Sequence, residues 1–239
     1  MSYTSLSPAP EIGTIIGSSF SDALDLTKKN IVPVALLIGF AALIGVLFAL
    51  GTFVDYRGRS SDVSPLGQAV VMIFLVLFYV VNYYSVAAAV RTVNPAYRMT
   101  VGPFFGFFGY QLLVGLLTAI ASFFLFIPGI WVGVKLTPVP FIYALTGGKP
   151  DALGESWEIT TGYFWHTLGF MILLGLGVGA ATIFAEFIGA LAANLAAVTI
   201  IAFPAATAII AWAVHVQSLA NVRWTKALLD IKSSVLASP

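Results

Sequence analysis

Six apolar runs dominate the chain, at residues 31–53, 67–90, 104–126, 130–145, 165–188 and 195–216. A helix rises about 1.5 Å per residue, so a hydrocarbon core of about 30 Å takes about 20 such residues to cross. Within that core every backbone N–H and C=O must be satisfied inside the segment, and a helix does this for each run separately. Of 239 residues 59% are hydrophobic and 9% charged, whereas a soluble domain carries roughly 25% charged residues. So few charges cannot make a water-facing surface. The expected fold is an all-α integral membrane protein with six transmembrane helices.

The segments between the runs are short and polar. Residues 1–10 (MSYTSLSPAP) read as a mobile tail, which leaves residues 11–239 as a single six-helix membrane domain. This start lacks the charged end and apolar centre of a signal peptide, so the first run is expected to remain as a span. From Glu11 to Asn30 the pattern is helical, with Ile12, Ile16, Phe20, Leu24 and Thr27 on one face and Ser18, Asp22, Asp25 and Lys29 on the other. A second amphipathic stretch, residues 150–164, groups Leu153, Trp157, Thr160 and Phe164 opposite Asp151, Glu155, Glu158 and Gly162. Both are expected to lie in the membrane interface. Residues 54–66 form a polar loop, Pro128-Gly129 a hairpin turn between the third and fourth spans, and a basic amphipathic end closes the chain.

Lys28, Lys29, Arg91, Arg98, Lys149, Arg223, Lys226 and Lys232 fall on one side of this arrangement, against Arg57 and Arg59 on the other. The excess of positive charge places both termini in the cytoplasm. A net charge of +1 with no basic stripe excludes a nucleic-acid partner. The expected partners are membrane lipids and other membrane-protein subunits.

The order of amphipathic segment, span out and span back suggests three repeated hairpin units, starting near residues 11, 94 and 151. Ala23-Leu24-Asp25-Leu26-Thr27 lines up with Ser156-Trp157-Glu158-Ile159-Thr160, and Gly106-Phe107-Phe108-Gly109-Tyr110 with Gly162-Tyr163-Phe164-Trp165-His166. Shared apolar runs with aromatic and polar ends would give the same matches.

Few residues invite chemistry. There is no cysteine, and neither His166 nor His215 has a carboxylate three or four residues away, so no catalytic, cofactor-binding or metal-binding residue is assigned. Trp157, Trp165 and His166 read as interface anchors, and His215 likewise. Lys135 and Glu186 lie within spans, where an ionisable group costs about 2.5–3.5 kcal/mol unless paired or hydrated. They either snorkel separately or pair. Asn82 is a candidate interhelical donor. Pro138 and Pro140 break the fourth span, and the carbonyls they free must find donors on neighbours. Gly175 and Gly179 make a Gly-x-x-x-Gly step for close helix packing within the chain.

Ile127-Pro128-Gly129-Ile130, followed by Ala152-Leu153-x-Glu155-Ser156-Trp157-x-Ile159-Thr160-x-Gly162-x-x-Trp165, resembles a broad bacterial membrane-protein family. That family includes the membrane domain fused to some glycerophosphodiester phosphodiesterases and the YciC-like inner-membrane proteins. The resemblance implies a multi-pass protein of the bacterial inner membrane. It does not carry over the phosphodiesterase activity, which belongs to a separate soluble domain. Glu158 departs from the family pattern, where a basic residue is usual. The resulting expectation is a non-enzymatic structural or accessory component of the envelope, or a subunit of a membrane complex. The alternative is a carrier or lipid-handling transporter with a polar site around Lys135, Glu186 and Asn82.

Overall fold

The computed structural model describes residues 9–29, 31–49, 54–57, 60–98, 101–124, 126–148, 151–193 and 196–236. Its elements are α1 (Ile12–Lys29), α2 (Ile31–Ala49), β1 (Val54–Arg57), β2 (Ser60–Val63), α3 (Pro65–Val93), α4 (Val101–Phe124), α5 (Phe126–Leu136), α6 (Val139–Leu145), α7 (Ala152–Thr161), α8 (Phe164–Ala193) and α9 (Ala196–Leu236). The all-α membrane fold expected from the six runs is the one observed. Among the described residues five stretches are long and apolar enough to cross a bilayer: Pro65–Val93, Pro103–Phe124, Ile127–Leu145, Phe164–Ala185 and Ile201–Ser234. A sixth is reached when α1 and α2, a sharply bent pair, are counted together. Of the tail expected at residues 1–10, residues 1–8 lie outside the described residues.

Part of the expected polar loop is a small antiparallel hairpin, in which β1 and β2 pair from Val54↔Val63 to Arg57↔Ser60. A more polar helix precedes two apolar ones at α1–α2–α3 and again at α7–α8–α9. Before α4, by contrast, the chain turns at residues 94–97, where the Tyr97 N–H donates to Asn94 O.

The chain divides into two compact units. One holds residues 22–85 and 176–216. Its core contains Val34, Leu37, Val81 and Ala211, with Ile38, Phe74, Leu77 and Phe78 packed against them. The other holds residues 1–21, 86–175 and 217–239. Here α4 packs against α5 and α6, and α7 packs against both α5 and α6. Gly129 lies against Ser122, Gly133 against Thr118, and Gly106 against Tyr143. One number in each pair rises as the other falls, so α4 runs antiparallel to α5 and α6.

Two expectations are corrected. First, Pro128-Gly129 is not the hairpin turn but lies within the opening turn of α5. Proline is tolerated there because the first N–H groups of a helix have no intrahelical partner. Gly129 serves close packing instead, since a Cβ at this position would stand 2.7 Å from Ser122 Cα.

Second, among the described residues a Cβ on Gly175 or Gly179 would meet nothing within 4 Å, so that step makes no close contact with a described helix. Spacing alone shows small residues without showing whether a neighbour faces them.

The faces that α1 and α7 pack inside the chain only partly match the apolar faces read in the sequence. α1 buries Ser19, Ala23 and Leu26 and leaves Leu24 58% exposed, whereas α7 buries Ala152, Ser156, Ile159 and Thr160. Hydrocarbon solvates large apolar side chains as well as a protein core does, so small residues mark the packed face.

The basic end of the sequence continues the last span as one helix. Within α9, Leu219, Ala220, Val222, Trp224 and Leu228 are buried, and Trp224 stacks on Phe170 of α8 with centroids 4.7 Å apart and planes 6° apart.

Candidate functional site at the α5–α6 break

Between α5 and α6 the helical ladder is interrupted at Thr137-Pro138. Pro138 caps α6 with φ −69° and ψ −19°, and Pro140 sits in its first turn. Neither proline has an N–H to give, and the last carbonyls of α5 need other donors. Two hydroxyls bond carbonyls in the last turn of α5. The Thr137 Oγ1 donates to Gly133 O at 2.7 Å, beside the Thr137 N–H at 2.9 Å. From α7, Ser156 Oγ donates to Lys135 O at 2.6 Å. The Ser156 bond thus gives a carbonyl at the break a donor from the neighbouring helix, whereas the Thr137 hydroxyl adds a second bond to a carbonyl that is already paired.

Lys135 is 4% exposed and ends in a box built from α5 and α7. Its ammonium donates to Thr161 Oγ1 at 2.8 Å and reaches Trp157 O at 3.5 Å. Thr161 in turn donates its own hydroxyl hydrogen to Trp157 O at 2.6 Å, so its lone pairs are free to accept from the lysine. The Trp131 and Trp157 rings have their centroids 5.8 and 5.5 Å from Nζ. The two indoles meet edge to face, 4.7 Å apart and 85° between planes. A cation against an aromatic face gains about 0.5–2 kcal/mol, and a hydrogen bond from a charged group about 1.5–3. Two faces and a hydroxyl therefore offset an insertion cost of about 2.5–3.5 kcal/mol without a carboxylate. Among the described residues no carboxylate forms an ion pair with Lys135.

Trp131 stands one helical turn before Lys135, and Ser156, Trp157 and Thr161 span little more than one turn of α7. On the same helix, Glu155 and Glu158 flank Lys232 of α9, at 3.8 and 2.8 Å. The acidic Glu158 is thus paired inside the chain. Tyr163, between α7 and α8, is buried, and burial holds its phenol above the ordinary tyrosine range. It stays protonated at neutral pH.

Trp157 joins Lys135, yet it is also 41% exposed, and Trp165 is 76% exposed with His166 exposed beside it. Asn82 is half-buried on α3, and no hydrogen bond reaches its amide among the described residues. The side chain of Glu186, and with it the expected pair with Lys135, lies outside the described residues. His215 corrects its expectation as an interface anchor: it is fully buried, with Nδ1 bonded to Ala211 O at 2.7 Å. Among the described residues no group of three histidine or carboxylate side chains could hold a metal ion.

Sequence reasoning missed Trp131, Ser156 and Thr161 as neighbours of Lys135. The hydroxyls at 156, 160 and 161, just after a proline-broken span, were the available signal. Comparison with protein-family models, curated proteins and solved structures yields no match.

Proposed function

We propose that this chain is a non-enzymatic, multi-pass inner-membrane protein, acting as a structural or accessory component of the bacterial envelope or as a subunit of a membrane complex. The observation carrying this reading is the internal use of Lys135. The ionisable group at the broken span is committed to Thr161, Trp157 and Trp131 of the chain itself. Such a lysine braces α5 against α7, whereas a substrate-binding lysine would keep its donors for a solute. Large apolar side chains such as Phe123, Phe124 and Ile127 are exposed along the same hairpin, where they suit lipid or another membrane subunit.

The carrier or lipid-handling reading draws on the same break, because interrupted helices with charges nearby are how many transporters build sites. The two readings differ in what Lys135→Met does to native-membrane preparations isolated in mild detergent. The accessory role predicts a less heat-stable protein that, below its unfolding temperature, retains the same stoichiometric membrane-protein subunits as the wild type. Loss of a stoichiometric solute or lipid from the folded variant, with subunits unchanged, would favour the carrier.

A further inference from the structure

We infer that the unit formed by residues 1–21, 86–175 and 217–239 holds a structural water molecule between α8 and α9, bound by Thr167 and Trp224. Both side chains are fully buried, and among the described residues neither Thr167 Oγ1 nor Trp224 Nε1 has a hydrogen-bond partner.

The threonine is informative because of what its hydroxyl does not do. Along the helices of this chain Thr27, Thr137, Thr146, Thr160, Thr161 and Thr182 each return the hydroxyl to the carbonyl four residues earlier. That bond is the ordinary refuge of a threonine in an apolar helix. Thr167 has the same carbonyl within reach, since its own N–H donates to Tyr163 O at 2.9 Å. Its hydroxyl nevertheless makes no such bond.

Two facts bring the indole ring to the same turn. Thr167 and Phe170 are three residues apart on one face of α8, with Cβ atoms about 5–6 Å apart. A helical phenylalanine leans back over the preceding turn, and the Phe170 ring lies flat against Trp224, 4.7 Å away. The indole is therefore stacked beside the turn that carries Thr167.

The chemistry of the pair selects the occupant. An indole N–H can only donate, whereas a hydroxyl can donate or accept, so a molecule that accepts one bond and exchanges a second satisfies both. Water does this at about the size of a single probe sphere. An anion would have to shed its hydration for two neutral donors, which return less than the desolvation costs.

The test is one of sign. Thr167→Val keeps shape and helix propensity while removing the hydroxyl. In a dry site it removes a buried orphan and leaves the thermal midpoint of the detergent-solubilised full chain unchanged or raised. In a hydrated site it strips the water of a partner and lowers the midpoint by a few degrees, and Trp224→Phe adds less on that background than in the wild type. The second measurement is an experimental structure at a resolution that shows ordered solvent. Density within hydrogen-bond distance of both atoms is expected. An unchanged or raised midpoint, or a direct Thr167–Trp224 contact without density between them, would overturn the assignment.

Discussion

At the scale of single residues, the glycines and hydroxyls of the α4–α7 unit separate positions that a sequence treats alike. Gly129→Ala places a methyl 2.7 Å from Ser122 Cα, a backbone atom that cannot rotate aside. Overpacking of this kind costs about 1–3 kcal/mol, and a lowered midpoint in thermal unfolding is the expected reading. Gly179→Ala adds a methyl to open space and gains up to about 1 kcal/mol of helix propensity, so the same assay should show no loss. Ser156→Ala leaves the Lys135 carbonyl without its 2.6 Å donor at the break. An orphaned buried acceptor costs about 1–3 kcal/mol, and Ser156→Thr, which retains a hydroxyl, should recover part of the loss. Lys135 could be singled out from the sequence because a charge inside a span is costly wherever it lies. Its neighbours could not, because Ser156 and Thr161 lie 21 and 26 residues away, and helical periodicity carries no information across that distance.

At the scale of elements, the long helices were legible because composition alone decides where a chain can cross hydrocarbon. The inward faces of α1 and α7 were not, because in lipid the apolar side of a helix is as content outside as inside. The role of the C-terminal part of α9 was hidden for a related reason. Its charges, Arg223, Lys226 and Lys232, read as a surface segment, while Trp224 and Leu228 between them are buried. Ending the chain after Val216 removes the stacking partner of Phe170, and the truncated protein should fail to accumulate in membranes on immunoblots. Charge reversal at Lys232 is a milder change. Its carboxylate partners are partly exposed, and such pairs are worth about 0–1 kcal/mol. Lys232→Glu should lower stability slightly, less so at high salt, and Glu158→Lys in the same chain should restore it.

At the scale of the whole molecule, the account stands on a membrane topology. Among the described residues five stretches, or six when the bent α1–α2 pair counts as one crossing, satisfy length and composition, and we propose that the excess of lysine and arginine on one side orients them with both termini in the cytoplasm. A chain without native cysteine allows this to be read one position at a time. The most direct measurement places single cysteines at Ser61, between the first two expected spans, and at Ser234, near the end of α9. Each is probed in intact cells with a membrane-impermeant maleimide. Six crossings with cytoplasmic termini predict that Ser61→Cys is labelled from outside, and that Ser234→Cys is labelled only after the inner membrane is opened. Equal labelling of both in intact cells, or protection of the position-61 cysteine until the inner membrane is opened, would contradict it.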